Sequence, residues 1–225
     1  MTMNAERGET HVFIDGQNFY LSGRTEFGLK YPDFDVAKIA DMIAGKIGAE
    51  RADHVNFYSG MPVARFSPRW FEFWTNKIEA MEETGINTFT RPLRYTYETD
   101  EQAPNGVKIL STREKGIDLR LALDVMAAAR RTNCEKIVIA SRDQDFREVV
   151  EKIEEMCAFE RRDIELWSAY PDGGQGPAHI RGIDGMQNLP ISFGDYRTCR
   201  DATDYRGSFK PSRRRRSDTS PASPA

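Results

Sequence analysis

The sequence predicts an α/β protein built on a mostly parallel sheet covered by helices. Two observations carry this reading. From residue 11 onward, short β-type runs alternate with longer segments of helical period, the pattern of parallel strands joined by helical crossovers. The 225 residues, 39% apolar and 30% charged, suffice for one such domain plus extras, with enough apolar surface to bury a core.

The first strand is the run His11, Val12, Phe13, Ile14. Asp35 is placed to cap a helix over 35–48, in which Val36, Ile39, Ala40, Ile43 and Ile47 recur at helical spacing and Gly48 is a natural stop. A second strand follows at 54–58. Ser67 before Pro68 pairs a good N-cap with a proline at the first helical position, opening a helix that runs to Gly85. Residues 86–97 read as the third strand. Residues 107–112 form another β-like run across a turn-rich stretch, which predicts a hairpin with Tyr95, Thr96 and Tyr97 beside the main sheet. Helices at 116–131 and 143–157 flank a buried strand at 136–140, and 164–167 is the last clear strand. The domain is expected over 10–204, with its core ending near 195, after an extension at 1–9 and before a disordered Arg/Ser/Pro-rich tail at 205–225.

Charge and hydropathy narrow the classes of function. The formal net charge of −3 excludes the strong overall positive field of a protein that coats nucleic acid, so any polyanion must be met locally. From Arg206 onward, six basic residues against one acid put +5 on the tail and leave −8 on the rest. The arginine run at 213–216 could bind RNA phosphates; deleting it is then expected to flatten the salt dependence of RNA binding, and an unchanged slope would refute that role. Mean hydropathy is −0.62 and no apolar run approaches the roughly 20 residues of a membrane span. Glu6, Arg7 and Glu9 stand where a signal peptide would be apolar, so a cytoplasmic location is expected. Cys134, Cys157 and Cys199 lack metal-ligand spacing and read as reduced thiols. His11, His54 and His179 have no motif context and are expected at solvent-facing strand or loop positions.

In an open parallel sheet, side chains at the carboxyl ends of strands share a crevice where the strand order reverses. Three places put acids there: Asp15 closing the first strand, Asp118 opening a helix, and Asp143 with Asp145 following the strand at 136–140. Converging like charges raise each other's proton affinity unless a cation neutralises them, which implies a divalent metal. Magnesium, hard and oxygen-bound, suits one or two carboxylates plus waters, and such a site can activate water against a phosphodiester. Helix capping accounts for Asp118 and Asp143 taken singly, and Asp15 with Gly16 can be an ordinary turn. Asp124 falls near the apolar stripe of its helix, so it either faces the site or is hydrogen-bonded behind it.

These blocks resemble a known family. Ile14-Asp15-Gly16-Gln17-Asn18, Lys115-Gly116-Ile117-Asp118 with Leu121 and Asp124, and Ser141-Arg142-Asp143-Gln144-Asp145-Phe146 are similar to the three signature blocks of NYN domains of the LabA-like branch, in the PIN-like nuclease superfamily. The resemblance covers roughly residues 10–170. It implies a Rossmann-like PIN fold with helices on both sheet faces and a metal-dependent endoribonuclease using Mg2+ or Mn2+ on RNA. Asp15, Asp118, Asp143 and Asp145 would be the metal-holding catalytic acids, with Asn18, Ser141 and Asp124 in support. Arg142 and Gln144 depart from the glycine and small residue usual there. Arg142 would either grip a substrate phosphate or pair with an acid and dampen metal binding, and Lys115 is a second phosphate candidate.

Other readings remain open at this level. A non-catalytic NYN module binding RNA or a regulatory protein would fit Arg142 and the acidic body. A phosphatase of the haloacid-dehalogenase type needs a second Asp two residues after the first, where Gln17 stands. Phe19, Tyr20, Tyr95 and Tyr97 could stack on unpaired bases or pack internally, and Trp70, Phe71, Phe73 and Trp74 could face a partner or the core. An exposed hairpin edge would suit pairing into a homodimer.

Overall fold

The computed structural model describes residues 7–102, 106–174 and 181–206. Along the chain lie β1 (Glu9–Asp15), α1 (Gly16–Phe27), α2 (Val36–Lys46), β2 (His54–Met61), α3 (Pro68–Glu83), β3 (Asn87–Pro92), β4 (Arg94–Thr99), β5 (Val107–Arg113), α4 (Ile117–Ala129), β6 (Cys134–Ala140), a short 3-10 turn (Gln144–Phe146), α5 (Arg147–Glu160), β7 (Glu165–Pro171), β8 (Gln187–Ile191) and α6 (Phe193–Thr198). Six strands form one sheet in the order β3-β2-β1-β6-β7-β8, every neighbouring pair parallel. β4 and β5 pair antiparallel as a separate hairpin, Arg94 opposite Arg113.

Alternation along β1 explains why both faces are covered. Val12 and Ile14 point into one apolar cluster, with Ile39 and Ile43 of α2, Trp74 of α3 and Tyr196 of α6. Phe13, between them, points into the other, with Leu121 and Val125 of α4 and Val150 and Ile153 of α5. Val12 and Ile14 are fully buried, each stabilising the fold by about 1.5–3 kcal/mol. The α/β class and the parallel sheet follow the expectation from sequence.

Several elements differ in detail. The predicted third strand is two: Pro92 ends β3, the N–H of Leu93 bonds back to the Met61 carbonyl at 2.8 Å, and the chain turns into the hairpin. α1 had no helical signature because its buried face is Gly16, Phe19, Ser22 and Gly23. A Cβ on Gly16 would lie 2.5 Å from the Phe57 ring, so a glycine lets this helix press against β2. β8 and α6 extend the sheet and its cover past the strand at 164–167; Pro190 is tolerated because β8 is an edge. Phe19 is core, and Tyr95 and Tyr97 pack against Phe66.

The C-terminal stretch is pinned from inside. The Lys77 amine on α3 donates to the Phe34 carbonyl at 2.8 Å and to Asp201 at 2.9 Å, and Tyr205 packs edge-on against Phe73. The tail expected at 205–225 thus begins with a packed residue, and its remainder from 207 onward, including 213–216, lies outside the described residues, as does His179. No helix among the described residues is long and apolar enough to cross a membrane. Cys134 and Cys199 are buried, Cys157 is half-buried, and all three are free thiols.

Candidate functional site

β1 and β6 are neighbours although most of the chain's other strands separate them in sequence, so the strand order reverses between them. Asp15 ends β1 at this point and is 3% exposed. Its two oxygens have different work. Oδ1 caps α1 by accepting the Asn18 N–H at 3.0 Å, and Oδ2 accepts the Ser141 hydroxyl at 3.2 Å from the end of β6. Ser141 in turn accepts the N–H of Asp143 at 3.1 Å, and the Asn18 side chain accepts the N–H of Arg142 at 3.1 Å. The helix start and the loop after β6 are thereby tied into one frame.

Around this frame stand Asp118, in the first turn of α4, and Asp143 with Asp145 at the 3-10 turn, where the Asp143 side chain accepts the N–H of Asp145 at 3.0 Å. Capping and convergence therefore coexist in Asp15 and Asp143. Burial raises the Asp15 pKa to about 6, with the charges of Asp118 and Asp143 adding to the rise. Desolvation likewise raises Asp118, helped by Asp143 and Asp145. The acids predicted from strand ends thus act on one another electrostatically.

A fifth carboxyl belongs to the group and was not legible as a site residue. Glu114 follows β5, accepts the Gly60 N–H, and has the Gln17 amide 3.0 Å from both its oxygens when the amide nitrogen faces them. Burial raises its pKa to about 7, and Asp15 and Asp118 contribute. Its only sequence signal is adjacency to the Lys115-Gly116-Ile117-Asp118 block. Gly116 adopts a left-handed φ of 73° there, and a Cβ would meet the Arg91 guanidinium at 2.5 Å. Lys115 lines clefts with Arg91, Arg94 and Arg113, a basic rim beside Glu114 contributed by β3 and the hairpin.

Two other expected residues are placed elsewhere. The Arg142 guanidinium stands 3.8 Å from the buried Glu26 carboxylate and over the Tyr170 ring, so it pairs with an acid outside the strand-end group. Asp124 takes the hydrogen-bonded alternative: it accepts the Tyr58 hydroxyl at 2.8 Å and the Arg120 guanidinium at 2.8 Å. His11 corrects the expectation of a solvent-facing position, while His54 on β2 is partly exposed. His11 is 4% exposed and stacks on His54 with ring centroids 4.3 Å apart, beside Glu9. Burial, then the charge of His54, lowers the His11 pKa to about 4.

Among the described residues, Glu9, His11 and His54 form a set whose ligand atoms all lie within 4.8 Å of one another, and the strand-end carboxylates are more widely spread. The all-oxygen donor set of the strand-end acids suits a hard cation such as Mg2+.

A parallel α/β domain with acids gathered at its switch point defines the class of protein. The NYN domain profile matches residues 9–158, and the chain belongs to the NYN family, in the PIN-like nuclease superfamily. A crystal structure of a protein of unknown function from Vibrio parahaemolyticus has the same fold, with a TM-score of 0.52 at 14% identity over 87% of this chain and 99% of that one. Comparison with curated proteins gives no match.

Proposed function

We propose that this protein is a metal-dependent endoribonuclease of the LabA-like branch, hydrolysing RNA phosphodiester bonds at the carboxylate group between β1 and β6. The observation that carries the reading is Asp15: an acid buried at the switch point, hydrogen-bonded on both oxygens, its pKa raised first by that burial and then by the charges of Asp118 and Asp143. A protein gains nothing in stability from such crowding, and a bound cation relieves it. Asp15, Asp118, Asp143 and Asp145 would hold Mg2+ or Mn2+. The ion supplies an acidified water and charge to offset the phosphate oxygens.

The chain's own groups do the rest. Ser141 and Asn18 hold Asp15 and the loop after β6 in register. Lys115, with Arg91, Arg94 and Arg113 near it, offers phosphate contacts that let an acidic body accept a polyanion locally. Glu114, whose pKa burial and then the charges of Asp15 and Asp118 push up toward the neutral range, is suited to hand a proton to a leaving oxygen or take one from water.

The test uses the purified chain, a mixed RNA pool and Mg2+ or Mn2+. Cleavage is expected to stop with chelator and to fall roughly 100-fold or more in Asp118→Asn. Equal cleavage by wild type and variant would indict a contaminant. RNA binding that tolerates chelator, with no cleavage under any metal, would replace the proposal with a non-catalytic binding module.

A further inference from the structure

We propose that the base of the β4–β5 hairpin is a phosphate clamp, in which Arg91, Arg94, Arg113 and Lys115 grip consecutive phosphates of an RNA strand beside the strand-end acids. The clamp rests on the nuclease reading for the place of the reacting phosphate. It goes further in giving the hairpin the choice of substrate: a polynucleotide with several phosphates to one side of the cut, rather than a dinucleotide. Cross-strand register carries the argument, because the two ends of the hairpin treat charge in opposite ways. Toward its turn, Glu98 is the register partner of Lys108, and the two form an ion pair at 3.0 Å. At its base the partners are Arg94 and Arg113, like charges set directly opposite, which destabilises a sheet. Neither arginine, nor Lys115 two residues further on, has an ion pair among the described residues. An anion between them removes the conflict, and phosphate matches the fork of donors that a guanidinium presents.

The base is held in place before any ligand arrives. The Leu93 N–H bonds to the Met61 carbonyl at 2.8 Å, the Tyr95 hydroxyl accepts the Val63 N–H at 3.2 Å, and the Tyr95 ring packs on Phe66 with centroids 4.4 Å apart. Contacts formed in advance lower the ordering cost of binding. The cations line two adjoining clefts of about 390 and 530 Å³ that share Arg94 and Lys115; Arg91 belongs to the first, and Arg113 and Glu114 to the second. Glu114 sets the second cleft at the edge of the acid group. From the first, the Arg91 guanidinium lies over the Phe89 ring and reaches Gly116, two residues before Asp118. Both clefts thus adjoin the acids. A strand laid across Arg94 and Lys115 keeps cations on its phosphates while one phosphate stands at the carboxylates.

The experiment follows the fluorescence anisotropy of a labelled single-stranded RNA of about 12 nucleotides with the full chain in chelator, from about 50 to 200 mM salt. Arg94→Glu is the decisive variant, since it converts the like-charge pair at the base into an opposite-charge pair of the kind found toward the turn. It is expected to melt no lower than wild type and to bind the RNA at least tenfold more weakly. Arg94→Gln combined with Arg113→Gln should reduce the slope of log affinity against log salt by about 1.4, the counterion release of two single-strand phosphate contacts. Lys108→Gln should bind within twofold of wild type, and a dinucleotide should compete far less well than the longer strand. No RNA binding by wild type, wild-type affinity in Arg94→Glu, an unchanged slope in the double variant, a dinucleotide competing equally, or poly-glutamate competing as well as RNA of equal charge would each overturn the clamp. Binding in chelator is read apart from cleavage. A chain that binds through the hairpin and never cuts sinks the nuclease reading alone, and one that cuts while Arg94→Glu binds normally sinks the clamp alone.

Discussion

Asp15→Asn is expected to silence RNA cleavage while making the metal-free protein more heat-stable at pH 8. Asparagine keeps the shape and the oxygen that caps α1, but it removes a charge that is both desolvated and repelled by Asp118 and Asp143. A rise of the carboxyl pKa from 3.8 to about 6 corresponds to about 2–3 kcal/mol of strain in the charged native state. In a chain of this size that is worth roughly 4–12 °C in melting temperature. The sign follows from linkage. The folded state binds this proton more tightly than the unfolded state, so the stability it confers is complete below about pH 4 and is lost as pH rises through about 6. Glu114 adds to the same trend as pH rises through about 7. The advantage of Asp15→Asn should therefore shrink on acidification from pH 8 to 4.5. Thermal melts in chelator at the two pH values measure it, and a variant less stable than wild type at pH 8 would contradict the electrostatic account. Added Mg2+ should raise the melting temperature of wild type more than that of the variant.

The second large effect lies away from the acids. Asp201→Asn should cost about 3 kcal/mol in urea unfolding, and Lys77→Met noticeably less. The Lys77 side chain is 2% exposed, and beyond Asp201 its amine has the Phe34 carbonyl and the Tyr205 ring, 4.8 Å away. Neutralising Asp201 strands a buried ammonium, the costly half of breaking such a pair. Methionine instead removes the cation and refills its volume, and Asp201, nearer the surface, can reach water. Despite the burial that opposes it, hydrogen bonding to Lys77 holds the Asp201 carboxyl down to about 2. Its contribution is present above about pH 4 and disappears as pH falls through about 2. A loss under 1 kcal/mol in Asp201→Asn would show that the pair does not anchor the C-terminal segment.

What could be read from sequence divides along physical lines. β1, β2, α2, α4 and β6 announce themselves because their buried residues are large and periodic. α1 does not, since close packing on the sheet selects glycine and serine on its inner face, which carry no apolar signal. β8 is short, contains Pro190 and lies at an edge, three features that erase a strand pattern. At the site, Asp15, Asp118, Asp143 and Asp145 were legible because each stands at a punctuation mark between elements. Glu114 was not, because its burial comes from Gly60 and Gln17, neither of which its neighbourhood in sequence reveals. The pairing of Arg142 with Glu26 and the contact of His11 with His54 are likewise products of tertiary register, which local pattern does not encode.

The central place of β1 has a consequence for biosynthesis. β1 has one flank that β6 alone occupies in this sheet, and β6 exists only after residue 140 is made. Until then a nascent chain carrying Val12, Phe13 and Ile14 presents an unsatisfied apolar edge, the feature that invites chaperone capture or mispairing. The loop after that closing strand carries Asp143 and Asp145, so a half-made chain of this protein would hold Asp15 without the Ser141 hydroxyl that bonds it.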